Sequence, residues 1–163
     1  MGYGGSVPVV RGTVVLDLHR MNKIIEVNHE YAYAVVEPGV SFFDLFEYID
    51  KNDYNLWPSV PALGWGSVLG NVLERGFGYT PNGEHSQQQC GMEIVLSNGE
   101  IVRTGMWAKK DCTMGPLFKG GYGPGIDSLF YQSNLGVVTK LGIHMTPAPT
   151  QYMDCSVSVP EEA

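Results

Sequence analysis

A glycine-rich run in the middle of the chain restricts the folds open to it more than any other feature. Gly64-Trp65-Gly66-Ser67-Val68-Leu69-Gly70-Asn71 continues to Glu74-Arg75-Gly76-Phe77-Gly78-Tyr79-Thr80-Pro81. The pattern is a loop feeding a short helix that starts near Ser67, runs through Arg75 and stops at Gly76. Free N–H groups and the helix dipole at such a start favour a phosphate or pyrophosphate. The run is not a Walker A loop, because it lacks G-K-[ST]. It is not the Rossmann fingerprint either, because its spacing is G-x-G-x-x-x-G and no strand clearly precedes it. The competing reading is a set of tight turns that packs a helix on a sheet, and spacing alone leaves both open. Glycine is abundant overall, at 21 of 163 residues, or about 13% against an ordinary value of about 7%.

The charge balance narrows the partners. Ten basic residues stand against seventeen acidic ones, for a net charge of −7. There is no basic cluster, so nucleic acid is not an expected partner. An anionic ligand must then be held by backbone N–H groups rather than by Lys or Arg. Hydrophobic residues make up 44% and charged residues 17%, a globular composition. No apolar run approaches the length of a membrane span and no signal peptide is visible, so a membrane is not an expected partner. Cys90, Cys112 and Cys155 form no CxxC pair, and His19, His29, His85 and His144 show no HExxH spacing. No metal site is expected, and the odd cysteine count argues against a disulfide framework.

Periodicity predicts strands at Val14–Leu18, Ile24–Asn28 and Tyr33–Glu37, the last ended by Pro38-Gly39. Ser41 caps a helix carrying Phe42, Leu45, Phe46 and Ile49 as a core stripe, with Asp44 in its first turn. Residues 54–66 read as a loop, and Gly78 to Cys90 as polar and irregular. Met92–Leu96 and Ile101–Thr104 form a hairpin across Ser97-Asn98-Gly99-Glu100. Residues 105–125 form a glycine-rich connection. Ile126–Asn134 reads as helical, and Val137–Met145 as a final strand stopped by Pro147 and Pro149. Ser156 to Ala163 offers few packing residues. The order β, β, β, α, α, β, β, α, β is α+β rather than regular βαβ alternation.

Two further segments bear on chemistry. Gly2-Tyr3-Gly4-Gly5 is either a flexible terminus or a turn presenting the Tyr3 hydroxyl to a ligand. Met1 to Ser6 also fits the short myristoylation pattern, but reads better as a loop whose preceding half is absent. Glu84-His85 is either an acid/base pair or a hydrogen-bonded loop contact.

Taken in order, these segments resemble the FAD-binding domain of the vanillyl-alcohol oxidase and 4-cresol dehydrogenase (p-cresol methylhydroxylase) family. The likeness is carried by Gly-Tyr-Gly-Gly at 2–5, Val-Val-Leu-Asp-Leu at 14–18 and Val-Glu-Pro-Gly-Val at 36–40. Its strongest part runs from Gly-Ser-Val-Leu-Gly-Asn at 66–71 through Gly-Tyr-Thr-Pro at 78–81 to Gly-Glu-His at 83–85. Gln-Ser-Asn at 132–134 and Gly-Val-Val-Thr-Lys at 136–140 close it. Single motifs are weak, but the ordered series is specific.

The resemblance implies an α+β fold of two subdomains with FAD between them. Residues 1–150 would be the FAD-binding domain, truncated at its N-terminus, and 151–163 the start of a linker toward a substrate cap domain. It implies FAD contacts from Pro61, Ala62, Gly64, Gly66, Ser67, Gly70, Asn71, Glu74, Gly76, Gly78 and Tyr79. Gly136, Val137 and Val138 would meet the adenosine side through main-chain groups. Tyr3 would be catalytic, donating a charge-assisted hydrogen bond to a phenolate. The reaction implied is hydride transfer from the benzylic carbon of a 4-alkylphenol or 4-hydroxybenzyl alcohol to flavin N5, which leaves a quinone methide that commonly adds water. Implied partners are a small phenolic substrate, a second copy in a homodimer or higher oligomer, and a cytochrome electron acceptor.

Ala62 stands where oxidase-type members carry an aspartate, which leans toward the dehydrogenase type, and Trp65 stands where the oxidases have glycine. The family's flavin anchor, second phenolate tyrosine and arginine would lie beyond this sequence, so the chain alone is expected to be inactive and marginally folded. Two alternatives remain: a non-catalytic remnant of an FAD domain, and an FAD-linked oxidase of the wider superfamily acting on hydroxy acids or sugars.

Overall fold

Strand pairing among the described residues is antiparallel. The computed structural model describes residues 7–159 apart from Val9, Pro81 and Tyr122. Strands β1 (Ile24–Asn28) and β2 (Tyr33–Val36) form a hairpin. Strands β4 (Gln89–Leu96) and β5 (Ile101–Arg103) form a second, around a turn in which Gly99 takes φ +83°. Between β2 and β4 runs β6 (Gly136–His144), giving a five-stranded sheet in the order β1-β2-β6-β4-β5. A separate two-stranded ladder pairs β3 (Leu56–Trp57) with β7 (Thr146–Pro147).

One face of the large sheet is apolar because alternate residues point the same way. Ala34 and Val36 of β2, Met92 and Ile94 of β4, and Val138, Leu141 and Ile143 of β6 form a single core. Helix α1 (Phe42–Lys51) adds Phe42, Leu45 and Ile49 to it, and helix α2 (Val68–Leu73) adds Val68, Leu69 and Val72. The start of α1 is set by a capping box. Ser41 Oγ accepts from the Asp44 N–H, and the Asp44 carboxylate accepts from the Ser41 N–H at 2.8 Å.

The α+β class and the β4–β5 hairpin agree with the sequence reading, and several details differ from it. Val14–Leu18 is not a strand: it is irregular and mostly exposed, with no partner strand among the described residues. Phe46 leaves the core stripe and is 52% exposed. The helix near Ser67 ends sooner, with Glu74 as its C-cap, and Arg75 rather than Gly76 takes the left-handed turn at φ +53°. The region at 126–134 holds only a 3₁₀ turn at Asp127–Phe130, interrupted by Gln132 at φ +47°. Pro147 does not simply stop β6, since it lies in β7 opposite Leu56. Residues 151–159 are exposed and carry no regular structure. Among the described residues, no helix is long and apolar enough to cross a membrane.

Candidate functional site

The loop before α2 is shaped by two helix starts. The Phe42 and Phe43 N–H groups at the head of α1 donate to the Gly66 and Gly64 carbonyls at 3.2 and 3.1 Å. A Cβ on Gly64 would lie 2.7 Å from the Phe43 ring, which would have to shift to admit one. Ser67 caps α2: its Oγ accepts from the Gly70 N–H at 3.0 Å and donates to the Pro38 carbonyl at 2.5 Å. The Val68 N–H donates to the Val40 carbonyl, and the Asn71 N–H to the Ser67 carbonyl.

These bonds decide which donors remain for an anion. The start of α2 uses its Val68, Gly70 and Asn71 N–H groups internally. In the loop itself, the Gly66 N–H turns back to Leu63. The N–H groups of Ala62, Leu63, Gly64 and Trp65 have no protein partner among the described residues. Ala62, Leu63 and Trp65 are exposed, Trp65 at 82%, with its ring edge-on to Phe43 at 4.7 Å. Orphan amides gathered on a short exposed loop suit an anion in a protein that spares few cations.

Residues 76–80 follow α2. The Gly76 N–H donates to the Asn71 carbonyl, and the Gly78 N–H to the Gly83 carbonyl. A Cβ on Gly76 would fall 1.9 Å from Asn71 Oδ1, and one on Gly78 would fall 2.3 Å from Ser59 Oγ. Pro61 is half-buried beside Ala62, and Glu74 is exposed at the end of α2. Tyr79 projects outward at 82% exposure, its ring perpendicular to Phe77.

Beneath these loops lies a buried polar chain. His85 is fully buried, with Nδ1 against Asn71 Oδ1 and Nε2 3.0 Å from Ser59 Oγ. Thr80 donates to Ser59 Oγ at 2.8 Å. Burial holds the His85 pKa below its usual value. Glu84 turns the other way, to Arg75 at 3.3 Å and to Ser86. The hydrogen bond from Ser86 is the main cause of its lowered pKa. Glu84 and His85 therefore do not form an acid/base pair, and the loop-contact reading of His85 stands. Ser59, which carried no signal in the sequence, is the link between this chain and the loop before α2.

The last candidates sit on β6. Opposite Gly136, Val137 and Val138 on β4 are Leu96, Val95 and Ile94. On its other side, β6 pairs with β2 only from Leu141 to His144. One edge of residues 136–140 is thus without a strand partner among the described residues. Gly136 has no room for a Cβ, which would fall 2.5 Å from Ile94 Cγ2. The Gln132 N–H donates to the Leu73 carbonyl at 2.9 Å, joining the end of α2 to the segment that leads into β6. Tyr3 and its flanking glycines lie outside the described residues.

Residues 1–105 match a family model described as an FAD binding domain. Over 99% of its length the chain is 46% identical to the 4-cresol dehydrogenase [hydroxylating] flavoprotein subunit of Pseudomonas putida, of which it covers 31%. The structure of p-cresol methylhydroxylase with substrate bound superposes with a TM-score of 0.86 at 46% identity, over 88% of this chain and 28% of that one. A 4-ethylphenol oxidase from Gulosibacter chungangensis, in its isoeugenol complex, superposes at 0.84 with 45% identity, over 86% of this chain and 27% of that one. The chain therefore spans about three tenths of the length of these relatives.

Proposed function

The chain belongs to the FAD binding domain family, and on that premise we propose that it is the cofactor-holding part of an oxidoreductase acting on 4-alkylphenols. Its fold is that of the p-cresol methylhydroxylase FAD domain. The observation that carries the reading is the set of loop amides at 62–65 with no protein partner among the described residues, followed by glycines at 76 and 78 where a Cβ would crowd buried polar side chains. Those features fit a dianionic, flat cofactor better than a cationic or bulky ligand.

Bound FAD would supply the hydride acceptor. The Ala62–Trp65 N–H groups would hold its pyrophosphate, and the Gly76–Tyr79 segment would form the opposite wall. The free edge of Gly136–Val138 would meet the adenosine through main-chain groups. Tyr3 would donate its O–H to the phenolate of the substrate, stabilising the negative charge from which hydride loss proceeds. Ala62 offers no acid or base, so any proton movement near it must use another group. This favours a dehydrogenase with a separate electron acceptor, for which a cytochrome is the proposed partner, over an oxidase.

The test is a difference spectrum of the FAD-loaded chain. 4-Methylphenol should perturb the visible flavin band, and Tyr3→Phe should lose that perturbation. A response to glycolate or D-lactate with none to the phenol would overturn the phenol reading in favour of a hydroxy-acid oxidase.

A further inference from the structure

We propose that His85 is a positioning residue for FAD: a neutral imidazole, protonated at Nδ1, that fixes the separation of the two loops holding the cofactor. The proposal rests on the FAD reading above and concerns how the two walls of that site are held together. Three segments meet at this ring. Asn71 of α2 and Ser59 of the loop before it bond the ring, and Thr80 of the loop after it bonds Ser59.

The direction of each hydrogen bond follows from the chemistry of its atoms. Asn71 Oδ1 can only accept, so His85 Nδ1 must carry a proton. A neutral ring then presents Nε2 as an acceptor, so Ser59 donates its O–H to His85 across 3.0 Å. Ser59 Oγ in turn accepts from Thr80 at 2.8 Å. Every member of the chain is satisfied, and each link has one sense. The backbone tightens the same unit, since the His85 N–H donates to the Gly76 carbonyl at 2.8 Å. The Phe42 ring, 5.6 Å away, forms an apolar side to the pocket.

Two glycines report how close this assembly is. A Cβ at Gly78 would lie 2.5 Å from His85 Nε2, and one at Gly76 would strike Asn71. Both belong to the wall proposed to line the cofactor. The imidazole thus sets the distance between Ser59, three residues before Ala62, and the strand of loop at 76–80. Because His85 is fully buried, it acts on the ligand through these loops and not by contact.

Three variants and a direct tautomer measurement test this. In His85→Gln the amide reaches the Nε2 position and its oxygen accepts from Ser59. In His85→Asn the amide reaches only the Nδ1 position, and Ser59 loses its acceptor. Ser59→Ala removes the same link from the other side. FAD affinity is read by flavin fluorescence on titrating the purified chain, with melting temperature measured alongside. His85→Gln should bind FAD nearly as the parent does. His85→Asn and Ser59→Ala should bind about tenfold more weakly, the effect of one buried hydrogen bond, while the two His85 variants melt alike. Imidazole nitrogen shifts of the unsubstituted chain should show the neutral Nδ1–H form near neutral pH. Equal FAD affinity for His85→Gln and His85→Asn, or an Nε2–H or doubly protonated ring, overturns the proposal while leaving the FAD reading intact. Failure of the unsubstituted chain to bind FAD removes that reading and this inference with it.

Discussion

Gly78 has no space for even one methyl group, because Ser59 Oγ and His85 Nε2 both stand within 2.5 Å of where it would go. Gly78→Ala should therefore cost about 1–3 kcal/mol, the usual range for overpacking a filled interior, as measured by chemical denaturation. An unchanged midpoint would mean that the buried chain yields freely. The same neighbourhood has a pH signature. The folded His85 pKa lies below its ordinary 6.5 because the ring is buried. The unfolded state then takes up its proton first, so stability should fall as pH drops below 6.5 toward the folded pKa. His85→Gln should lack that component in a series of melts. The glycines at 76 and 78 were legible in the sequence as glycines, but the reason for them was not. That reason is a contact with Ser59 and Asn71, and neither partner is implied by local spacing.

At the level of elements, side chains that bond their own neighbours were readable and long-range pairings were not. Ser41 with Asp44, and Ser67 with Gly70, act within a single turn, and both caps sit where the pattern puts them. Ser41→Ala should cost about 1 kcal/mol of stability, and Ser67→Ala more, because Ser67 also holds the Pro38 carbonyl. Val14–Leu18 has the β-prone, apolar composition of a strand but no partner among the described residues, and without a ladder it has nothing to pair with. Residues 126–134 look helical by composition, yet Gln132 turns its N–H to Leu73 and breaks the run. β3 was missed because two residues in a proline-rich loop carry no period.

The outer face of the large sheet offers a sharper test of element pairing. Glu93 of β4 accepts from Arg103 of β5 at 2.7 Å and from Lys140 of β6 at 2.9 Å. Burial alone would raise its pKa, but these bonds and one from Thr139 outweigh it, and the pKa is lowered. A depressed carboxylate stabilises the fold above its unfolded pKa, near 4.5, and the contribution is lost as pH falls through the folded value. Glu93→Gln should cost about 1–3 kcal/mol near neutrality. The gap between parent and variant should close in acid. A gap that persists there would assign the loss to packing and not to charge.

For the molecule as a whole, the central strand is β6, which arrives late in the sequence and divides β2 from β4. Its position explains why the β4–β5 hairpin could be read locally while the strand order could not. It also places the free edge at 136–140 on the same core that α2 packs against, through Val138, Val68 and Val72. On the proposed reading, a chain with net charge −7 would hold a dianion largely through oriented N–H groups, and those of 62–65 have no protein partner among the described residues. Spacing in this glycine-rich run leaves open both a phosphate site at the helix start and a set of tight turns. The structure shows that most donors there are already used.

The most direct measurement is titration of the purified chain with FAD, following flavin fluorescence and the melting temperature together. The account predicts saturable binding. At FAD concentrations about 100 times the dissociation constant it also predicts stabilisation of about 2.7 kcal/mol, a rise in melting temperature of about 5–10 °C for a domain of this size. A folded, cooperatively melting chain whose fluorescence titration and melting temperature both ignore FAD would contradict it.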